Sequence, residues 1–361
     1  MDKYKIGKAI AYLRRRAGYT QKDLANRLNV SDKAVSKWER GLGLPDISYL
    51  GKLSILLDTD TDSLLSGDVI FHDKRWFGIL VLPQVKSKVC ASETVYDKPM
   101  IYYLLSYYLL IGIKEIYIVS DQKDEQAIVS ILGDGKILGI NLHYLGSDYT
   151  KCVRTIVETS KNRNAMIVYG RILIYGVDQT RFFQKAMRQQ DKIIVMSLPK
   201  KKSQDYTAEA TNDQIETSFR FNAHMKLVSL DSADAIYTQY EHSPIPVIFC
   251  PGNAIEKLSV ESDKGKYEID IAACVKQIYT EVLDRGYVEM PLNNALELHK
   301  ASTFVNLVQE ACGMEIYCIE EIAWRRGMID LEQLKKLGQK SQNTLYGQYI
   351  LDIWKRNKGR E

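Results

Sequence analysis

The stretch TQKDLANRLNVSDKAVSKWERG, residues 20–41, decides how the first part of the chain folds. Thr20 followed three residues later by Asp23 is an N-cap with a reciprocal acid, so it opens a helix whose inward side is Leu24, Ala25 and Leu28. Asn29 ends that helix. Ser31 caps the next, whose inward side is Ala34, Val35 and Trp38 and which Arg40-Gly41 stops. Outward from this pair, Ile6, Ile10 and Leu13 fall at i, i+4 and i+7 and predict an amphipathic helix ending near Arg16, with Gly18 turning the chain. On the other side Pro45-Asp46 opens a fourth helix carrying Leu50, Leu53 and Leu57, and Asp62 to Leu65 gives a short fifth.

A tight turn between the second and third helices is the geometry that lays the third in the major groove of DNA. The runs Gln21-Lys-Asp-Leu-Ala25, Leu28-Asn-Val-Ser31, Val35-Ser-Lys-Trp-Glu-Arg-Gly41 and Leu44-Pro-Asp46 resemble the phage-repressor and Cro (XRE-type) helix-turn-helix across residues 5 to 66. The resemblance implies double-stranded DNA as partner, with Gln21 and Ser31 against phosphates and Asp32, Lys33, Ser36 and Lys37 on the groove-facing surface. These polar positions lie opposite the Ala34, Val35 and Trp38 stripe, and Trp38 itself belongs to the core. Facing phosphate, Asp32 has to read a cytosine amine or act through water.

Charge agrees with that partner. Over the whole chain 49 Lys and Arg oppose 45 Asp and Glu, leaving only +4, but residues 1–40 hold eleven bases against four acids. With 361 residues, 45% hydrophobic and 8 prolines, the chain has the composition of a folded protein of more than one domain. The six cysteines form no C-x-x-C pair and are expected to be reduced core thiols. The most apolar run, Met100 to Ile113, is short for a bilayer and broken by Ser106 and four tyrosines, so the expectation is a cytoplasmic protein with no membrane partner.

Beyond a polar connector at 68–75, Trp76-Phe-Gly-Ile-Leu-Val-Leu82 reads as a buried strand. Met100 to Ile111 then reads as a helix, Glu115 to Val119 as a strand, Asp124 to Leu132 as a helix, and Asn141 to Tyr144 and Met166 to Tyr169 as strands. The alternation predicts an α/β domain with a mainly parallel sheet. Val95-Tyr-Asp-Lys-Pro-Met-Ile-Tyr-Tyr-Leu-Leu105, Gly112-Ile-Lys-Glu-Ile116 and Leu132-Gly-Asp-Gly135 resemble the glucose-1-phosphate thymidylyltransferases. So do Lys264-Gly-Lys-Tyr-Glu-Ile269, Glu320-Glu-Ile-Ala-Trp-Arg-Arg-Gly-Met-Ile-Asp330 and Tyr346-Gly-Gln-Tyr-Ile-Leu351. The likeness covers about residues 76 to 355 and thins from about 146 to 250. The expected organisation is therefore an all-α five-helix DNA-binding domain at 1–67, a linker at 68–75, and a Rossmann-like α/β nucleotidyltransferase-like domain with a mixed, mainly parallel sheet at 76–361.

That family joins a nucleoside triphosphate to a sugar 1-phosphate, using a glycine-rich phosphate cradle and two aspartates that hold magnesium. At the cradle this chain reads Leu82-Pro-Gln-Val-Lys-Ser-Lys88, without glycine. At the aspartates it reads Tyr169-Gly170-Arg171 and Glu289-Met-Pro291-Leu-Asn, and the Glu-Lys-Pro motif occurs nowhere. The expectation from these losses is a domain without catalytic residues, magnesium site or cofactor, serving as oligomerisation platform or sugar-nucleotide sensor in a DNA-binding regulator. The alternative is a bifunctional protein that retains thymidylyltransferase activity. Three residues stay as candidate ligand contacts for a sugar nucleotide or sugar phosphate. Glu268 matches the family's sugar-binding carboxylate, or else is a helix N-terminal acid; Arg171 meets a pyrophosphate or stands idle; Lys98 lies near the active site or closes a turn. A homo-oligomer is expected, with Tyr102 to Tyr108 and Tyr346 to Trp354 as its apolar surfaces.

Overall fold

Caps and apolar spacing set the first five helices: α1 (Lys3–Arg16), α2 (Gln21–Leu28), α3 (Asp32–Glu39), α4 (Ile47–Leu56) and α5 (Thr61–Ser66). In the computed structural model, which describes residues 2–17, 19–57, 59, 61–66, 76–83, 89–189, 192–201, 240–255, 259–263, 266–270, 278–283 and 286–358, the caps of α2, α3 and α4 fall where the sequence predicts them, α5 opens one residue earlier, at Thr61, and Gly18 lies outside the described residues. Thr20 and Asp23 form the reciprocal capping box, Asn29 takes the left-handed conformation at φ 55° that ends α2, and the Ser31 side chain caps α3. Ile6, Ile10, Leu13, Leu24, Leu28, Val35, Trp38, Leu53 and Leu57 make one core, so Trp38 is a packing residue.

The α/β part follows as β1 (Trp76–Val81), β2 (Thr94–Val95), β3 (Lys98–Pro99), α6 (Met100–Leu110), β4 (Glu115–Val119), α7 (Gln122–Leu132), β5 (Asn141–Tyr144), α8 (Tyr149–Ser160), β6 (Asn164–Tyr169), β7 (Ile172–Tyr175) and α9 (Gln179–Arg188). After these come β8 (Ile193–Lys201), β9 (Tyr240–Cys250), β10 (Ser259–Asp263), β11 (Lys266–Asp270), β12 (Ile278–Val282), β13 (Val288–Pro291) and α10 (Ala295–Cys312). The chain ends in α11 (Ile319–Arg325), α12 (Leu331–Lys340) and α13 (Leu345–Asn357). The main sheet has seven strands in the order β12-β8-β9-β6-β1-β4-β5. Within it β1 runs parallel to β4 and β6, β4 parallel to β5, and β8 parallel to β12; β9 alone is antiparallel to its neighbours β6 and β8. Every residue of β1 is buried, as a central strand covered on both faces requires.

Tyrosine makes α6 apolar enough to bury nearly whole, because each hydroxyl reaches a backbone group. The Tyr103 hydroxyl donates to the Val95 carbonyl at 2.8 Å, Tyr108 donates to Ile79 at 2.7 Å, and Tyr107 donates to Ile172 at 3.0 Å while accepting the Ile174 N–H at 2.7 Å. These three side chains are fully buried within one chain and Tyr346 is buried too, so these four tyrosines of the expected pairing surfaces face inward, while Tyr102, Tyr349 and Trp354 are half-buried. Tyr108 lies on β1 only because residue 78 has no side chain. A Cβ there would meet the Tyr108 ring at 2.6 Å, and Gly78→Ala is expected to lower stability by about 1–3 kcal/mol through overpacking, read as a lower urea midpoint with unchanged slope.

Two compact units emerge, residues Met1–Phe71 together with Glu320–Glu361, and residues His72–Ile319. The sequence instead predicts a first domain that ends at 67, a linker at 68–75 and an undivided domain at 76–361. In the C-terminal helices Leu334, Leu337 and Gly338 of α12 are buried, with Ile350 and Leu351 of α13 lying against Gly338, and the Tyr346 hydroxyl donates to Glu320 at 2.5 Å. The connector at 68–75 and the stretch 84–88 lie outside the described residues. Among the described residues no helix is long and apolar enough to cross a membrane. Cys90, Cys152, Cys250 and Cys318 are buried thiols, whereas Cys312, at the end of α10, is exposed and so departs from the expected core placement.

Candidate functional site

The outward face of α3 carries Asp32, Lys33 and Lys37 exposed to solvent, with Ser36 half-buried beside them. Ser31 stands at its start and spends its hydroxyl on the cap, accepting the Ala34 N–H at 3.2 Å, while Asp32 accepts the Lys33 N–H at 2.8 Å. Gln21 is held differently. Its amide donates to Glu39 at 2.7 Å, and Glu39 in turn receives two bonds from the Arg14 guanidinium, at 2.5 Å through Nε and 3.0 Å through a terminal nitrogen. A further Arg14 N–H reaches the Tyr19 carbonyl at 2.7 Å. This buried fork ties α1, the entry to α2 and α3 into one unit and fixes the angle at which α3 is presented. Sequence reading passed over Arg14 and Glu39 because each looks like one more surface charge on a helix.

In the α/β domain the C-terminal ends of β1, β4 and β6 form one rim, since Val81 is in register with both Val119 and Tyr169. Crevices outside the carboxyl ends of parallel strands are where open α/β sheets bind ligands. Arg171 stands on this rim, 3% exposed. It donates to the Pro83 carbonyl at 2.8 Å and to a carboxylate oxygen of Asp124 in α7, whose other oxygen accepts the Ala91 N–H at 2.7 Å. The guanidinium therefore joins four segments rather than projecting into open space, and Asp124 is the partner that the sequence did not reveal. Glu268 lies in β11, opposite Glu261 of β10, so the reading of it as a helix N-terminal acid is corrected to a strand position.

Lys98 is wholly buried beside the short β2–β3 turn. Its ammonium donates to Asp97 at 2.7 Å, Glu315 at 3.1 Å and Gln309 at 3.2 Å, and lies 5.2 Å from the centre of the Tyr103 ring. It thus pins the turn to α10 and the segment after it. Burial and the hydrogen bond shared with Asp97 push the Glu315 carboxyl up to about 7, against the pull of Lys98. Burial also opposes ionisation of Asp97, but its bonds to Glu315, Lys98 and Gln309 hold it below the usual range. A carboxyl whose folded value is raised favours the native state while protonated. Glu315 therefore stabilises fully below its unfolded value near 4.5 and loses that contribution as pH rises through about 7. Stability is expected to fall by about 1–2 kcal/mol between about pH 5 and pH 7.5, after allowance for solvent screening. Glu315→Gln should flatten this part of the melting profile; an unchanged profile would show that Glu315 is not the titrating group. Asp97 acts in the opposite sense, its contribution being lost only as pH falls through the acid range.

Residues 10–64 match the helix-turn-helix family model, and residues 92–219 match the nucleotidyl transferase family model. The chain thus joins a helix-turn-helix domain of XRE type to an α/β nucleotidyltransferase domain. Its relatives are glucose-1-phosphate thymidylyltransferases. The chain is 27% identical over 273 residues to the one from Neisseria meningitidis, which covers 73% of this chain and 91% of that protein. It is 29% identical over 273 residues to the one from Neisseria gonorrhoeae, covering 72% of this chain and 90% of that protein. A solved UDP-glucose pyrophosphorylase from Acinetobacter baumanii matches 65% of this chain and 99% of its own, at 12% identity and a TM-score of 0.42. The thymidylyltransferase relatives overturn the expectation that the protein is not an enzyme, because the likeness runs nearly the length of proteins with that activity. The losses at 82–88, 171 and 291 do not establish inactivity: charge on a transferring phosphoryl group can be stabilised by arginine and lysine as well as by metal.

Proposed function

We propose that the protein is a DNA-binding regulator that reads duplex DNA through α3 and whose nucleotidyltransferase domain takes a sugar phosphate or nucleotide sugar. The observation that carries the first half is the exposed polar face of Asp32, Lys33 and Lys37 on a helix fixed by the Arg14–Glu39 fork. Because one such helix makes few base contacts, two copies are expected to act together on an inverted repeat with half-sites about one turn of DNA apart. The proposed setting is the cytoplasm, where its DNA would lie.

Full-length protein titrated against a selected duplex should lose affinity steeply as salt rises, with a linear dependence of log K on log salt. Lys37→Ala should change which operator is preferred, at a cost of about 1–3 kcal/mol on the preferred site, if Lys37 meets a base edge. Binding that fails to depend on salt, or on sequence after selection, would end the reading. Sedimentation of the full chain with and without operator tests the pairing.

The relatives favour a second reading of the large domain, that it also transfers a thymidylyl group to glucose 1-phosphate. Pyrophosphate release from deoxythymidine triphosphate and glucose 1-phosphate tests it directly. Release that follows protein concentration makes the chain bifunctional, and its absence leaves ligand binding as the domain's role. A melting-temperature panel of nucleotide sugars and sugar phosphates identifies the ligand, since one that prefers the native state raises the transition.

A further inference from the structure

The resemblance to thymidylyltransferases places two magnesium-binding aspartates at positions 171 and 291, about 120 residues apart in sequence. The fold brings the two positions together. β7 and β13 are antiparallel with Pro291 opposite Ile172, and the Leu292 N–H donates to the Arg171 carbonyl at 2.9 Å. The expected pair of positions is thus adjacent, yet one holds a guanidinium and the other a proline ring with no donor atom on its side chain. Asp124 lies within reach, but both of its oxygens are already taken, by Arg171 and by the Ala91 N–H. Hard divalent cations need several free oxygen ligands. The residues present do not fit magnesium, and among the described residues no group of three or more His, Cys, Asp or Glu is placed to hold a metal.

What stands there instead is a guanidinium built into the chain, its charge balanced by Asp124. The Arg171 Nε–H is buried and has no hydrogen-bond partner among the described residues, and the same holds for the Ser120 hydroxyl at the end of β4. Ser120 follows Val119 and Arg171 follows Gly170, so these two unsatisfied donors flank β1 on the same rim. Buried donors left unpaired are costly, and an anionic oxygen is the acceptor that relieves them best.

We propose that the Arg171–Asp124 pair has taken the place of the divalent cation, so that this rim binds the phosphates of a nucleotide sugar without metal. The proposal rests on the reading above that the domain takes a phosphorylated sugar ligand. It is tested on the full-length protein by two titrations. In the first, manganese alone is added and water-proton relaxation read; the expected result is no specific site. In the second, deoxythymidine diphosphate glucose is titrated by calorimetry in magnesium and again in EDTA; the expected affinities agree within about twofold, and Arg171→Gln weakens binding about tenfold or more in both. A stoichiometric manganese site, or a loss of about tenfold in affinity on adding EDTA, overturns the proposal. If the nucleotide sugar binds in neither buffer, the ligand reading falls, while the manganese titration still decides whether Arg171 has displaced the metal. Both titrations on the unmodified chain stand even where Arg171→Gln fails to fold.

Discussion

Glu39→Ala is expected to destabilise the helix-turn-helix domain by about 3–5 kcal/mol, because it strands the Arg14 guanidinium in a nearly dry interface. Side chains at this pair are 11% and 7% exposed, so water cannot make up the lost bonds, and the Gln21 amide loses its acceptor as well. Domains are stable by only about 5–15 kcal/mol, so most of the margin disappears. Hydrogen exchange in α1, α2 and α3 should accelerate together, and operator affinity should fall with it. Replacing both partners, as Arg14→Met with Glu39→Leu, should recover much of the stability, since a buried pair exchanged for apolar side chains is often neutral. A single variant that exchanges and binds like the parent would mean that the fork holds nothing together.

Asp124→Ala is expected to have an effect of similar size on the α/β domain. It leaves the Arg171 guanidinium uncompensated, at a cost of about 3–5 kcal/mol, and deprives the Ala91 N–H of its acceptor. For a domain of this size the melting temperature should drop by roughly 10 °C or more. The double variant Arg171→Met with Asp124→Leu separates two causes: it restores stability if the penalty is electrostatic and fails if the four joined segments need the fork itself. Exchange in α1–α5 serves as the internal control, and a uniform acceleration there too would point to general misfolding.

Local signals were legible in the sequence, and long-range partners were not. The Thr20–Asp23 box, the Asn29 stop and the Ser31 cap are written within a few residues of the helix ends they fix, and α2 and α3 followed from them. The apolar run of β1 and the strand at Glu115–Val119 were equally plain. By contrast, the partners of Lys98 are at 309 and 315, and nothing near Gln309 or Glu315 marks them as the far end of a buried ion cluster. Tyrosines in α6 looked like a sticky surface because a sequence does not show that each hydroxyl will find a carbonyl or amide inside. The substitution at Arg171 was visible, but its meaning depended on Asp124 and on the β7–β13 pairing, which only the fold supplies.

The Arg171–Asp124 pair also bears on descent. An Arg171→Asp change would set a new carboxylate against Asp124 in a dry rim, so it is expected to be harmful by itself. A buried pair of this kind resists stepwise replacement: either partner changed alone leaves a buried charge uncompensated, so positions 124 and 171 are expected to vary together or not at all.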